Sequence, residues 1–343
     1  MAEKGSVSLR SHFKTRNRAL AREIASLERA ADLPSTILIV GDSGTGKDRL
    51  ARAIHDVSIR SASPFVRVDA ANLSEELFES ELFGHERGAF TGAVSAKKGL
   101  LEVAEAGTVY LDEVSSLTPA AQAKFLRVLQ ERTFRRLAGV TTHPFRARLI
   151  VSSRRDLGVL VEKGTFRDDF FYRIDVVSIR LPRLRDRPED ILPLAREFLR
   201  RAARAYARPA RRFTKEAEAT LARHPWPGNV RELAHIVERT VLGAETAEIA
   251  ANDLPAGALG SPESLLQSAV ENRWTLKGGP RSTVMKQTFQ RAAVLGLVTA
   301  FALALVSATA DARWYGYRHH HYGHLWFGYA ATSRAAMVRT LGN

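Results

Sequence analysis

The chain has 343 residues, of which 45% are hydrophobic and 26% are charged, a composition typical of globular domains with buried cores. It has no cysteine, which excludes a disulfide framework and cysteine-ligated metal centres and fits a reducing compartment. The formal net charge of +14 favours an anionic partner such as nucleic acid or a membrane surface, unless it reflects only a coding sequence rich in G and C.

The first predicted element is an amphipathic helix over residues 12–33. Phe13, Leu20, Ile24 and Leu27 recur there at spacings that suit one helical face. Residues 1–35 are therefore expected to form a helical lead-in to the first domain. Residues 1–36 have only short apolar patches, so no secretory signal is predicted and a cytoplasmic location is expected.

A phosphate-binding turn is predicted directly after the apolar strand 36–41. The turn consists of Gly41, Asp42, Ser43, Gly44, Thr45, Gly46, Lys47 and Asp48. Its glycines allow successive backbone N–H groups to face an anion, and the following helix directs its positive end at the same point. Lys47 is expected to reach the β- and γ-phosphates of a nucleotide. Asp48 stands where a Ser or Thr usually contacts Mg²⁺, so it is expected to act on the metal through water.

An α/β core over residues 36–183 is predicted from the alternation that follows. Apolar strands at 65–69, 107–112, 147–152 and 176–180 alternate with helices at 47–58, 75–82 and 119–131. This order predicts a parallel sheet flanked by helices. The third strand ends in Asp112 and Glu113, where nucleotide hydrolases place the Mg²⁺-binding acid. Asp112 is expected to bind Mg²⁺, and Glu113 to act as the general base on the attacking water.

A smaller helical subdomain is predicted over residues 184–255. Helical patterns at 189–206, 214–223 and 229–242 follow the last strand without another strand signal. The Arg-rich stretch 200–212 is interpreted as a solvated helix face and loop.

The last part of the chain differs in kind. Residues 256–284 are rich in Gly, Ser and Pro and indicate a linker. Residues 285–343 form an irregular C-terminal tail, in which a basic start precedes an uncharged apolar run at 292–310. A fused second reading frame with a signal-peptide pattern, a membrane anchor and an ordinary buried helix remain open for this run. The histidines at 319–321 are interpreted as part of an aromatic tail rather than as metal ligands.

A family resemblance becomes specific at a second loop, formed by Gly88, Ala89, Phe90, Thr91, Gly92 and Ala93. This segment resembles the signature loop of the sigma-54-dependent transcription activators, the NtrC-like branch of the AAA+ ATPases. The resemblance covers residues 12–255 and extends to the acid after Lys47 and to segments 166–173, 181–187 and 226–233. It implies an AAA+ P-loop core followed by a helical lid.

The resemblance also implies an activity and its partners. ATP and Mg²⁺ would bind between the subunits of a ring, usually a hexamer, in which Arg167 and Arg173 reach the neighbour's nucleotide. Arg231 would act as the second sensor of the nucleotide. The loop at 88–93 would contact sigma-54 in the RNA polymerase holoenzyme, so that hydrolysis permits promoter opening.

The sequence departs from the family pattern at three points. Asp69 stands where an Asn usually pairs with the catalytic Glu, and Ser153-Arg154 replaces Thr-Asn in the first sensor. Ser153 is still expected to hydrogen-bond a phosphate oxygen. No complete Fis-like helix-turn-helix and no regulatory domain are found, and residues 256–284 are interpreted either as a linker or as a truncated lead-in to a helix-turn-helix. Promoter or enhancer DNA is therefore expected to bind only weakly or indirectly. The alternatives are therefore a non-hydrolysing nucleotide-binding module that assembles with related AAA+ subunits, and a regulator tethered to a membrane through 292–310.

Overall fold

The computed structural model of the chain describes residues 8–71 and 74–255. The helices are α1 Leu9–His12, α2 Arg18–Ala30, α3 Lys47–Val57, α4 Glu75–Phe83, α5 Leu100–Val103, α6 Pro119–Glu131, α7 Leu157–Glu162, α8 Asp168–Ile174, α9 Ile191–Ala205, α10 Lys215–Arg223 and α11 Asn229–Leu242. The strands are β1 Ile37–Val40, β2 Phe65–Asp69, β3 Gly84–His85, β4 Lys97–Lys98, β5 Thr108–Asp112, β6 Thr133–Arg135, β7 Thr142–Pro144, β8 Arg148–Ser153, β9 Val177–Arg180, β10 Arg212–Phe213 and β11 Glu248–Ile249.

The central sheet has five parallel strands in the order β2-β5-β8-β1-β9. These are the five strands that the sequence predicts, and the parallel α/β fold is confirmed. Because all five run in one direction, their carboxyl ends meet at one edge of the sheet, where ligands of open α/β sheets bind. That edge receives the turn after β1, the acids that end β5 and the end of β8.

Helices cover both faces of the sheet, as a parallel sheet requires. On β1, Ile37 and Ile39 pack on the side of α2 and α3, whereas Leu38 and Val40 pack on the opposite side with α4, α6 and α8. This alternation follows from the two-residue repeat of a strand, and it makes both faces of β1 fully apolar.

The N-terminal lead-in differs from the single predicted helix at 12–33. The structure has the short helix α1 and then α2, separated by an extended segment at residues 13–17. Asn17 ends this segment and caps α2, because its side-chain oxygen accepts a hydrogen bond from the Leu20 amide at 2.9 Å. Apolar spacing persists through the break, since Phe13 still packs in the same core as Ile24.

Three pairs of short strands were not predicted. The antiparallel pairs β3–β4 and β6–β7 extend from the core, and β10 pairs in parallel with β11 inside the helical lid. Each of these strands has only two or three residues, too few to display an alternating pattern. The lid itself consists of α9, α10 and α11 around a separate apolar core that includes Trp226 and Leu233.

The predictions for residues 256–284 and 285–343, including the apolar run at 292–310 and the histidine tail, lie outside the described residues. Within residues 8–71 and 74–255, no helix is both long enough and apolar enough to cross a bilayer.

Candidate functional site

A cavity of about 650 Å³ opens at the carboxyl edge of the sheet, between the core and the lid. The turn after β1, the acids that end β5 and the first turns of α11 all contribute to its wall. The predicted residues that line it are Ser43, Gly44, Gly46, Lys47, Asp48, Asp69, Asp112, Glu113 and Arg231. The fold therefore collects side chains that are more than 180 residues apart in the chain.

The glycine-rich turn has a backbone that only glycine accommodates at its centre. Gly44 and Gly46 have φ angles of +77° and +108°, in the left-handed region that favours glycine. A Cβ atom on Gly44 would lie 2.3 Å from the Gly228 carbonyl oxygen. The lid is also bonded to this point, because the Val230 amide donates to the Gly44 carbonyl at 2.9 Å.

Lys47 lies inside the turn and is almost buried, with 8% of its surface exposed. Its ammonium group donates to the carbonyl oxygens of Gly41 at 2.7 Å and Asp42 at 3.2 Å. Burial lowers the pKa of Lys47, while the nearby charges of Glu113 and Asp112 act in the opposite direction. The group is thus a cation held in place beside two carboxylates.

Asp112 ends β5 with three side-chain donors on its carboxylate. Ser152 and Tyr110 donate to Oδ1 at 2.5 and 3.1 Å, and Arg67 donates to Oδ2 at 2.5 Å. Burial alone would raise the pKa of Asp112, but the Ser152 hydrogen bond and the Arg67 charge outweigh it and hold the pKa below its usual value. Asp112 is therefore an anion near neutral pH.

Glu113 adopts a left-handed backbone with φ +60°, which is strained for a residue with a side chain. Its Oε1 accepts hydrogen bonds from the Ser115 hydroxyl at 2.6 Å and from the Arg154 amide at 3.1 Å. The Arg154 side chain also approaches Oε1, with Nε 3.8 Å away. The carboxylate is thus held from two sides at the wall of the cavity.

Arg231 brings the lid to the nucleotide-binding turn. Its guanidinium donates to the Ser43 hydroxyl at 2.9 Å, and the side-chain amide of Asn229 donates to the Ser43 carbonyl at 2.9 Å. A change in the position of α11 would consequently break or move these hydrogen bonds to Ser43.

Gly41, Asp42 and Thr45 belong to the turn but do not line the cavity, and three further predicted residues lie away from it. Ser153 is fully buried, and its hydroxyl donates to the Arg155 carbonyl at 2.7 Å instead of facing the cavity. The neighbouring Arg154 lines the cavity in its place. Arg167 pairs with Asp169, and Arg173 donates to the Leu129 carbonyl at 2.8 Å, so both lie at α8 outside this chain's own cavity.

Asp69, the other departure from the family pattern, reaches the cavity wall. It is the register partner of Asp112 in the neighbouring strand. Its carboxylate accepts a hydrogen bond from the Ala71 amide at 2.9 Å, which orients it at the end of β2.

Three residues of the site were missed by sequence reasoning: Arg67, Tyr110 and Ser152. Each lies on a strand in which the sequence analysis used only the apolar pattern and the last residue or two. Two of them had a signal in the sequence. Tyr110 puts a hydroxyl inside the apolar run 108–112, and Arg67 puts a cation inside the run 65–69.

The loop at 88–93 lies between β3 and β4, and glycines stand at positions 88 and 92. Both glycines have positive φ angles, +82° and +105°, with open space where a Cβ atom would be. The Gly88 amide closes the loop by donating to the Ala93 carbonyl at 2.9 Å. Phe90 is 42% exposed and contacts the ring of His85 edge-on, with ring centroids 5.0 Å apart. The loop therefore displays an aromatic side chain instead of burying it.

The oxygen ligands of the site suit a hard divalent cation that arrives with a nucleotide. Mg²⁺ is usually held by one or two carboxylates together with substrate phosphates and water, and Asp112 and Asp48 supply that number. Among the described residues, no cluster of three or more His, Asp or Glu could hold a metal ion by itself. The residues present thus fit Mg²⁺ bound with ATP better than a permanent metal centre.

Two family models match consecutive parts of the chain. The Sigma-54 interaction domain matches residues 13–180, and the AAA+ ATPase lid domain matches residues 185–269. The first match contains the glycine-rich turn, the acids of β5 and the loop at 88–93, and the second contains Arg231.

Relatives with known roles match the same region. The Nif-specific regulatory protein of Azotobacter vinelandii is 47% identical over 230 residues, 67% of this chain and 44% of that protein. The regulatory protein AtoC of Escherichia coli strain K12 is 44% identical over 244 residues, 71% of this chain and 53% of that protein. The chain thus spans about half the length of these curated relatives.

Solved structures agree with the sequence matches. NtrX from Brucella abortus in complex with ADP aligns with a TM-score of 0.64 and 37% identity, covering 73% of this chain and 56% of that chain. NtrX in complex with ATP aligns with a TM-score of 0.64 and 34% identity, covering 79% of this chain and 58% of that chain. The chain carries the AAA+ central domain of the sigma-54-dependent transcriptional activators and belongs to that family.

Proposed function

We propose that this chain binds and hydrolyses ATP and uses the hydrolysis to remodel sigma-54 RNA polymerase for promoter opening. The observation that carries the proposal is that Lys47, Asp112 and Glu113 line one cavity. Arg231 of the lid lines the same cavity. A cation for phosphate, an acid for the metal and a second acid for water are the parts that phosphoryl-transfer sites share.

The nucleotide phosphates are proposed to bind the backbone amides of the turn at 41–48 and the ammonium group of Lys47. That group now donates to two carbonyl oxygens of its own turn and would exchange these for phosphate oxygens. When bound with ATP, Mg²⁺ neutralises charge on the transferring phosphoryl group. Asp112 would hold it directly and Asp48 through water.

Glu113 is proposed to orient and deprotonate the attacking water. Its carboxylate is held by Ser115 and by the Arg154 amide, so its position at the cavity wall is defined before substrate arrives. Such positioning supplies part of the catalytic effect, because the base need not be oriented during the reaction.

Ring assembly is proposed to complete the site. Arg167 and Arg173 lie at α8 and do not line their own chain's cavity, which supports a role at a neighbouring subunit's nucleotide. An arginine supplied in this way stabilises charge in the transition state and is worth roughly 10³–10⁵ in rate where it has been measured. A hexamer is the expected ring.

The loop at 88–93 is proposed to contact sigma-54. The exposed Phe90 ring supports this, because a large aromatic side chain on a glycine-flanked loop is suited to burial against a partner. A weak, salt-sensitive attraction for DNA is proposed from the basic surface alone.

Purified chain should hydrolyse ATP only with Mg²⁺, and its turnover per subunit should rise with protein concentration as rings form. A Lys47→Ala variant should lose both ATP binding and turnover, because the buried cation at the phosphate position is removed. Fluorescent-nucleotide binding and phosphate release measure the two quantities.

Lys215→Ala is the matched control, since Lys215 is an exposed lysine at the start of α10 in the lid. It should behave as the wild type does. ATP binding without turnover at every protein concentration would contradict the proposal and favour the non-hydrolysing module. Unchanged ATP binding by Lys47→Ala would refute the site itself.

A further inference from the structure

Four side chains form a closed ring at the position where the metal is proposed to bind. The Tyr110 hydroxyl lies 2.9 Å from Oδ1 of Asp48 and 3.1 Å from Oδ1 of Asp112, so that its one proton is shared between the two acids. Arg67 spans the same two acids on their other oxygens, with Nη1 2.9 Å from Oδ2 of Asp48 and Nη2 2.5 Å from Oδ2 of Asp112. Each acid is thus bonded to the same phenol and the same guanidinium.

The strand register brings the ring together. Arg67 on β2 and Tyr110 on β5 are direct partners across the two strands, and so are Asp69 and Asp112 two residues later. Because side chains alternate along a strand, partners in register at an interval of two lie on one face of the sheet. The first residues of α3 lie over this face, since the buried Tyr110 reaches Asp48.

The donors on Asp112 differ in how easily they can leave. Ser152 and Tyr110 are fully buried on central strands, so their bonds to Oδ1 are fixed by packing. The Arg67 side chain is 48% exposed and reaches Oδ2 from the edge strand β2. A divalent cation needs an anionic oxygen with a free lone pair, and Oδ2 is the oxygen from which a flexible donor can withdraw.

We propose that Arg67 competes with the divalent cation for Asp112 and Asp48, and so sets the Mg²⁺ concentration at which the site accepts metal-bound ATP. Without metal, the guanidinium neutralises the two carboxylates and keeps them in position. When Mg²⁺ enters with ATP, Arg67 gives up Oδ2 of Asp112 and turns toward solvent. The inference rests on the proposed ATP binding and adds a positioning residue to it.

Charge and geometry both matter in this competition. The planar guanidinium satisfies two carboxylates at once, which a lysine ammonium on a flexible stem does less well. Since the side chain is half exposed, its ion pairs contribute little to the free energy of unfolding. Substitution at Arg67 is therefore expected to alter metal binding without unfolding the chain.

The test measures the Mg²⁺ concentration that gives half of the full increase in ATP affinity, using a fluorescent ATP analogue and the full chain. Arg67→Gln should lower that concentration roughly fivefold, the effect expected when half-exposed ion pairs are lost. Arg67→Lys keeps the charge but loses the planar guanidinium, so its half-effect Mg²⁺ concentration should lie between those of the wild type and Arg67→Gln. Mn²⁺ binding without nucleotide, followed by electron paramagnetic resonance, should tighten in the same order.

Arg52→Gln is the matched control. It also removes one exposed positive charge, but Arg52 lies on α3 and pairs with Asp56 rather than with Asp48 or Asp112. It should leave both midpoints unchanged. The proposed competition would be overturned if Arg67→Gln had an unchanged or raised half-effect Mg²⁺ concentration while wild-type ATP binding still depended on Mg²⁺. The proposed ATP binding would then stand. A wild-type chain that binds no ATP at any Mg²⁺ concentration would instead overturn the proposed function on which it rests.

Discussion

At the scale of single residues, Arg148 shows how a buried charged group is held in position by backbone carbonyl oxygens. Arg148 is a buried cation away from the cavity, where burial lowers its pKa to about 10 and its guanidinium donates to the Ala30 carbonyl at 2.7 Å. It joins β8 to the end of α2. Hydrogen bonds from a buried guanidinium to backbone carbonyls hold the two elements together without taking part in chemistry.

His55 provides a pH-dependent test at this scale. It is buried on α3 with its Nδ1 2.9 Å from the Thr108 hydroxyl, and burial lowers its pKa below 6.5. The unfolded chain therefore takes up a proton at this residue before the folded chain does, so stability is lost as pH falls through about 6.5.

As pH falls from 7.5 to 5.5, the protonation of His55 should lower the free energy of unfolding by up to about 1 kcal/mol. Urea unfolding at both pH values measures the loss, and His55→Gln should lose less than the wild type does. His143→Gln on β7 is the matched histidine substitution outside the core and should retain the wild-type loss. An equal loss in His55→Gln would contradict this explanation.

At the scale of elements, the segment between α1 and α2 is held by Asp190 at the start of the lid as well as by its own Asn17 cap. The Thr15 hydroxyl and the Arg16 amide donate to the Asp190 carboxylate at 2.6 and 2.5 Å. Asp190 also lies 3.8 Å from Arg187, which in turn donates to the Thr45 carbonyl of the nucleotide-binding turn at 2.7 Å. The lead-in, the lid and the turn are thereby connected through two buried charges.

Asp190→Ala should destabilise the chain by about 3 kcal/mol, because it leaves the buried Arg187 charge without its carboxylate. Glu189→Ala is the adjacent control, since Glu189 only accepts one exposed hydrogen bond from Asn17. It should cost less than about 1 kcal/mol. Chemical denaturation of both variants measures the difference, and equal losses would show that the buried pair does not connect these elements.

These same elements show how far the sequence predicts the structure. The strands β1 and β5 could be predicted because both are short apolar runs, and the glycine spacing after β1 identified the phosphate-binding turn. The break at 13–17 was missed: Asn17 is a local helix-cap signal, but the extended segment before it is held by Asp190, more than 170 residues away. The Arg67–Tyr110 partnership also escaped prediction, since it requires the register of two strands that sequence alone does not reveal. The family resemblance correctly identified the family and the fold. The sensor role that it implies for Ser153 stays a prediction, although the Ser153 hydroxyl donates to the Arg155 carbonyl in this structure.

At the scale of the whole molecule, the proposed nucleotide site and the proposed sigma-54 contact are two separate features. The cavity lies between core and lid, where nucleotide would influence the position of α11, and the loop at 88–93 extends between β3 and β4. Arg136 braces the base of this loop, with Nη1 3.1 Å from Glu86 and Nη2 2.9 Å from Glu102. Ion pairs thus hold Glu86, just before the loop, while the aromatic side chain of Phe90 remains partly exposed.

The measurement that tests the central claim most directly is binding of purified sigma-54 in the presence of ATP and Mg²⁺, with hydrolysis followed on the same samples. Phe90→Ala should keep wild-type turnover and lose sigma-54 binding, whereas Val140→Ala, which truncates an exposed apolar side chain between β6 and β7, should keep both. Sigma-54 binding by Phe90→Ala equal to that of the wild type would contradict the claim that this loop transmits ATP hydrolysis to the polymerase.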